Sequence, residues 1–201
     1  MEIAILRHGE PEATSNKLIS AARFSEWVDQ YNSRDILKSS YPSAISVEYA
    51  QGCRVIVSSN LLRSVQSAEI LCTNQQLLSD ELYSEAGIPY AEWHWPELSP
   101  GAWAIIFRVL WFLGYSRNSE TMAETRKRAT AAAKQLGDLA NVHGSVLFVG
   151  HGIFNRFLAK ELNKLGWDGA KSPGSGYWAL SIYSRSTVAG ERKDTHGDRA
   201  T

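Results

Sequence analysis

The chain has only two cysteines, Cys53 and Cys72, and neither belongs to a CxxC pair or a His/Cys cluster. A disulfide framework and a structural zinc site are therefore both excluded. Net charge is absent as well, because 21 Lys and Arg balance 21 Asp and Glu. That argues against the broad basic face that nucleic acid or an anionic lipid surface calls for, while leaving room for a small cationic pocket. Long hydrophobic runs are also missing. The most apolar stretch, Ala102 to Tyr115, carries Arg108 and is shorter than the roughly 20 residues a bilayer-crossing helix needs. No basic leader precedes Ile3-Ala4-Ile5-Leu6, so the expectation is a cytoplasmic protein with reduced thiols and no membrane partner.

With 201 residues, 44% hydrophobic and 21% charged, the chain is large enough to bury a substantial core. Three short apolar runs, Ile3–Leu6, Arg54–Val57 and Ser145–Val149, lack alternation and stop at polar or glycine residues. Runs of that kind suit strands covered on both faces. Helical stripes follow two of them, at Leu61–Leu71 and Phe154–Leu165, and further helices are expected over Thr121–Leu139 and Ser15–Tyr31. Alternating strands and helices predict a three-layer α/β/α fold around a mainly parallel sheet. Tyr177–Tyr183 is a candidate further strand. The division expected is one domain over residues 1–185, with an insertion at about 87–119 and a disordered tail at 186–201. The insertion holds four of the seven tryptophans (Trp93, Trp95, Trp103, Trp111) and a candidate helix from Trp103 to Leu113. It reads either as core packing or as a lid offering an aromatic wall to a ligand, and Phe24, Trp27 and Tyr31 carry the same two readings.

Unusual polar residues sit at the end of each apolar run. Arg7-His8-Gly9-Glu10 follows the first, Ser58-Ser59-Asn60-Leu61-Leu62-Arg63 the second and Gly150-His151-Gly152 the third. Open α/β sheets bind ligands beyond the carboxyl ends of their strands, so Arg7, His8, Arg63 and His151 are expected at one rim. Adjacent strand residues point to opposite faces, and Gly9 allows the turn that lets Arg7 and His8 share a pocket. Two arginines and two histidines match a phosphate dianion in charge, and the arginines match its bidentate geometry. Guanidinium neighbours lower the pKa of a histidine between them, and neutral imidazole attacks phosphorus directly. The second histidine then stabilises the phosphoryl oxygens, while a carboxylic acid protonates the leaving alkoxide. This chemistry calls for no metal and no cofactor.

The same residues resemble the histidine phosphatase superfamily, also called the phosphoglycerate mutase-like family. Leu6-Arg7-His8-Gly9-Glu10 is similar to its opening motif, Ser58 to Ala68 to its second and Gly150-His151-Gly152 to its third. The resemblance spans roughly residues 1–185, with the insertion poorly matched. It implies His8 as nucleophile and Arg7, Arg63 and His151 as phosphoryl ligands. It also implies a glutamate between the second and third motifs as proton donor. Glu85 in Leu82-Tyr83-Ser84-Glu85 is favoured, one residue out of the family spacing, with Glu81 as the fallback. Pro11 follows Glu10, and Thr14 stands where the family places an asparagine. Asn16, two positions on, is taken with Gly152 and Ile153 as a substrate-binding candidate.

The basic segments that grip substrate in glycolytic mutases have no counterpart, which favours hydrolysis. The resemblance thus implies a phosphomonoesterase acting through phosphohistidine on a small phosphorylated metabolite. The alternatives are mutase-type phosphoryl transfer and a non-catalytic module binding phosphorylated ligands. Asn118-Ser119-Glu120 reads as a helix start and Arg126-Lys127-Arg128 as a solvated helix face. His94, His143 and His196 read as surface residues. The sequence leaves the oligomeric state open.

Overall fold

The computed structural model describes residues 1–186. The tail expected at 186–201 therefore lies, apart from its first residue, outside the described residues. In chain order the elements are β1 (Glu2–Arg7), α1 (Phe24–Asn32), α2 (Ala44–Gly52), β2 (Val55–Ser59), α3 (Leu62–Leu71), β3 (Gln76–Asp80), α4 (Pro100–Phe112), α5 (Met122–His143), β4 (Ser145–Gly150), α6 (Gly152–Lys164), β5 (Asp168–Gly169) and β6 (Leu180–Ser184). The six strands form one sheet in the order β3-β2-β4-β1-β6-β5. β3, β2, β4 and β1 run parallel, while β6 is antiparallel to both β1 and β5. The three apolar runs are thus adjacent parallel strands, and their C-terminal ends lie side by side.

Alternate residues of these strands feed two cores. Ile3, Ile5, Val55, Val57, Val146 and Phe148 pack with α5 and α6 on one face. Ala4, Leu6, Ile56, Leu147 and Val149 pack with α2 and α3 on the other. Each strand has a covered face on both sides, which is why its sequence is continuously apolar. A third cluster, built on Ala21, Phe24, Ala91, Trp103 and Phe107, stands apart from both and joins α1 to α4.

Local chemistry sets the helix boundaries. Ser99 caps α4, its hydroxyl accepting from the Ala102 N–H, and Pro100 occupies the first turn where no N–H is required. Thr121 and Glu124 form a reciprocal capping box at the start of α5, just beyond the expected Asn118-Ser119-Glu120 start.

Several expectations are corrected. The helix expected over Ser15–Tyr31 begins only at Phe24, after a 3₁₀ turn at Ala21–Arg23, because Ile19 pairs as backbone with Leu98. The strand expected from Tyr177 begins at Leu180. β3, β5 and α2 were not anticipated. No helix among the described residues is long and apolar enough to cross a membrane.

Candidate active site

β1 ends at Arg7, whose register partner is Gly150 at the end of β4, and the His8 N–H donates to the Gly150 carbonyl at 3.0 Å. The chain then turns at Gly9, where a Cβ would lie 2.6 Å from the Trp178 indole; any larger residue would displace that ring. Gly150 is equally confined, its virtual Cβ 2.4 Å from Asn155 Oδ1 and from the Phe148 ring. Buried hydrogen bonds fix the three strand ends together. From α3, Ser67 Oγ accepts from the Gly9 N–H at 2.8 Å, and Ser64 Oγ donates to the Val149 carbonyl at 2.6 Å. From α6, Asn155 accepts from the His151 N–H at 3.0 Å and donates to the Leu6 carbonyl at 3.3 Å.

These contacts bring Arg7, His8, Arg63 and His151 to one rim. Arg63 reaches in from the first turn of α3 and its Nε donates to His8 Nε2 at 3.2 Å. The two histidine rings are 5.1 Å apart. Arg7 lies against the start of α6, with its Cζ 3.6 Å from a Cβ built on Gly152. The Arg7 guanidinium also sits 4.5 Å from the Tyr177 ring centre and donates to the Ser175 carbonyl.

His8 Nδ1 lies 2.6 Å from the Gly9 carbonyl oxygen, which can only accept, so Nδ1 carries the proton and Nε2 presents its lone pair. Burial, then Arg63, with a smaller push from Arg7 and against the Gly9 bond, takes the His8 pKa from its ordinary 6.5 down to about 3. The ring is neutral at pH 7. His151 is fully buried and is held well below its ordinary range by burial first, then by Arg63 and His8. Its Nε2 lies 2.6 Å from Ser59 Oγ, an oxygen that already accepts from the Leu61 N–H. The Ser59 hydroxyl either donates to Nε2, which places the ring proton on Nδ1, or accepts from it. Among the described residues, His151 Nδ1 and Arg7 Nε are both buried without a hydrogen-bond partner. A buried unpaired polar atom is costly. Arg7 lines a cavity beside His8, whereas His151 is fully buried and does not.

Arg7, His8 and Arg63 form one end of a cavity of about 480 Å³ that Glu85 also lines. The Glu85 carboxylate sits over the N-terminus of α6, accepting from the Ile153, Phe154 and Ala86 N–H groups at 3.2, 2.8 and 2.8 Å. The Ile153 N–H, expected to bind substrate, is therefore engaged with Glu85. Glu81 is exposed and lines the adjacent, wider cleft. Asn16 is exposed and does not line the 480 Å³ cavity. Asn32, at the end of α1, does line it, and its Oδ1 accepts from Arg63 Nη1 at 3.0 Å.

Sequence reasoning missed Asn32, and it missed the buried serines of α3. Their signal was polar side chains recurring on a helix face that faces the sheet. It also misread Arg128. Arg126 and Lys127 are exposed, but Arg128 turns inward, pairs with Glu120 at 2.6 Å and donates to the carbonyls of Leu82 and Ser84. Those two residues hold the loop that carries Glu85. The four insertion tryptophans do not line the 480 Å³ cavity. Trp103 belongs to the third cluster, Trp111 to the main core, and Trp95 is exposed. Of the two aromatic groups the sequence singles out, that of α1 lines the cavity, through Phe24, Trp27 and Tyr31. Among the described residues, no group of three His, Cys, Asp or Glu side chains is arranged to hold a metal ion.

The model for the histidine phosphatase superfamily (branch 1) matches residues 45–191, a span that takes in Arg63, Glu85 and His151 and begins beyond Arg7 and His8. A search of curated proteins gives no match. Among solved structures, the chain is similar to phosphoserine phosphatase from Entamoeba histolytica in complex with 3-phosphoglyceric acid. The TM-score is 0.54 at 16% identity, covering 90% of this chain and 89% of that one. It is also similar to the ecdysone phosphate phosphatase of Bombix mori in complex with tungstate, with a TM-score of 0.54 at 15% identity over 100% and 97% of the two chains. Bacillus stearothermophilus YhfR gives 0.53 at 16% identity over 90% and 89%. At these identities the likeness is one of fold.

Proposed function

Because the chain belongs to the histidine phosphatase superfamily, branch 1, we propose that it is a metal-independent phosphomonoesterase that works through a phosphohistidine at His8. The observation that carries the reading is the pairing at the rim: a neutral His8 whose Nε2 lone pair lies 3.2 Å from the Arg63 Nε. An incoming phosphate draws the guanidinium onto its oxygens and leaves Nε2 free to attack phosphorus. As the P–N bond forms, the P–O bond to the alcohol breaks. The leaving oxygen takes a proton from the Glu85 carboxylic acid. Arg7 and Arg63, with His151 in the tautomer that carries its proton on Nδ1, stabilise the charge building on the phosphoryl oxygens, which is the work a metal does elsewhere. Water then attacks the phosphohistidine, Glu85 takes its proton, and inorganic phosphate leaves with His8 neutral again.

Alkaline quenching during turnover of a radiolabelled phosphate ester, which preserves the acid-labile P–N bond, traps label on His8. Replacing His8 with Ala lowers turnover by at least roughly 10⁴-fold, and a chelator changes nothing. Full turnover in the H8A variant sinks the proposal.

One observation favours the runner-up, a phospho-ligand-binding module: Glu85 is engaged by three backbone N–H groups, as a helix cap is. Glu85→Gln separates the two. If Glu85 is the acid, turnover of an alkyl phosphate falls by about 10²- to 10⁴-fold. Turnover of a nitrophenyl ester, whose leaving group needs no proton, falls far less. A cap alone predicts equal losses for both esters and a lowered melting temperature.

A further inference from the structure

The cavity beside His8 is much larger than a phosphoryl group needs, and the lining beyond the phosphate end has a definite chemistry. At about 480 Å³ it falls within the range of small-molecule sites. Its walls are mostly apolar, formed by Phe24, Trp27, Val28, Tyr31, Ile88 and Ala104. Along α1 the rings lie nearly parallel, Phe24 to Trp27 at 13° and 5.9 Å and Trp27 to Tyr31 at 8° and 5.5 Å. Tyr31 ends the ladder directly beneath Arg63, whose Cζ is 4.9 Å from the ring centre. The ladder therefore runs from the phosphate site, through half-buried Tyr31 and Trp27, to Phe24, which is fully buried in the α1–α4 cluster.

Charge beyond the phosphate end is already committed. Arg108 is the remaining cation of the lining. Its terminal nitrogens donate to the Ala86 and Gly87 carbonyls at 3.0 Å, and its guanidinium lies 4.9 Å from the Trp111 ring centre. The adjoining wider cleft, which shares Val28, Glu85 and Ile88 with this cavity, adds Asp80, Glu81 and Glu120. Among the described residues, the cations of the two linings beyond the phosphate end are Arg108 and Arg128, and Arg128 is ion-paired with Glu120 at 2.6 Å. A second phosphate or a carboxylate on the substrate would otherwise meet apolar walls or these carboxylates.

Resting on the phosphate-site reading above, we infer that the substrate is a monoester of phosphate with a bulky, apolar alcohol that bears no second anionic group. Trp27 and Ala104, on facing helices, determine that preference. Hydrolysis breaks one P–O bond and releases the apolar alcohol and inorganic phosphate, with water supplying the oxygen and protons.

The test uses the full chain and three phosphonates, whose C–P bond keeps binding separate from turnover: 2-(1-naphthyl)ethylphosphonate, ethylphosphonate and 3-phosphonopropionate. Calorimetry is expected to show the naphthyl compound binding about 100-fold tighter than ethylphosphonate. The carboxylated compound binds no tighter than ethylphosphonate. Trp27→Ala lowers the naphthyl-to-ethyl ratio about 10-fold, and Ala104→Leu, which narrows the cavity from α4, lowers it independently. Equal affinities, or tightest binding of 3-phosphonopropionate, overturn the inference. Label on His8 from ethyl phosphate, trapped by alkaline quenching, reports on the phosphatase reading by itself. Label with equal phosphonate affinities removes the substrate class and keeps the phosphatase; a naphthyl advantage without label does the reverse.

Discussion

At the rim of the sheet, buried polar contacts tie the ends of β1, β2 and β4: Ser67 to Gly9, Ser64 to Ser59 and Val149, Asn155 to Leu6 and His151. Across the cavity, α1 and α4 meet through ring stacking and apolar contact in a cluster separate from both faces of the sheet. Hydrogen bonds are directional, so the rim has one arrangement within tenths of an ångström, as in-line attack on phosphorus requires. Apolar packing is tolerant of repacking at similar volume, which leaves the far wall free to change the alcohol it accepts without disturbing the chemistry. On the proposed function, chemistry is built into the strand ends, and substrate choice into a satellite cluster hung over them.

After the loss of His8 itself, the largest expected effect tests the rim. Arg63 is buried, bonded to His8 and Asn32, and stacked near Tyr31. Arg63→Met keeps much of its length and removes its charge. Loss of about 10³-fold in kcat/KM is expected, with the naphthyl-to-ethyl binding ratio retained. The variant also raises the His8 pKa, since Arg63 is the largest charge depressing it after burial, and the ring's proton resonances then titrate at higher pH. A variant that instead lost its substrate preference and kept its rate would erase the distinction between the two ends.

A second effect, of moderate size, follows from the same burial. Both histidines are neutral in the folded protein, His8 with its pKa near 3, whereas in the unfolded chain each takes a proton near its ordinary 6.5. The unfolded state therefore binds more protons below pH 6.5, so this contribution is complete above that value and is lost as pH falls. Over the first unit below 6.5 the pair removes about 2 kcal/mol of stability. Urea titrations at pH 6.5 and 5.5 measure it. Replacing both histidines with Asn removes that pH dependence, while Phe107→Ala lowers stability at both pH values and leaves the dependence intact.

The same division governs what the sequence makes legible. β1, β2 and β4 are covered on both faces, so their apolar runs are unbroken and the polar residues after them stand out. β3 carries only Leu77 and Leu78 as apolar residues at the sheet edge, and β5 has two residues, too few for any pattern. α2 buries only Ser46 and Ala50, so it lacks an apolar stripe. The rim residues follow strands and could be read in advance. Asn32 reaches the site through a helix whose position is set by tertiary packing, and Arg128 differs from its two basic neighbours only in where 100° of helical rotation leaves it. The aromatic wall was legible as composition, but its assignment to α1 rather than to the insertion tryptophans depends on which face α4 turns inward.

The smallest expected effect concerns the other face of α4. Trp103, Phe107 and Trp111 point inward, while Ile105 and Val109 are 69% and 53% exposed. If only the inner face of this helix sets substrate choice, Val109→Gln changes neither kcat/KM nor the naphthyl-to-ethyl ratio. It shifts stability by less than about 0.5 kcal/mol, as surface substitutions do, and glutamine's better helix propensity opposes any loss. Urea denaturation and the phosphonate titrations measure both quantities. A destabilisation well beyond that bound, or an altered ratio, would place Val109 among residues that shape the cavity. The aromatic cluster would then be responding to both faces of α4, and the tolerance ascribed to it would have to be traced to α1 alone.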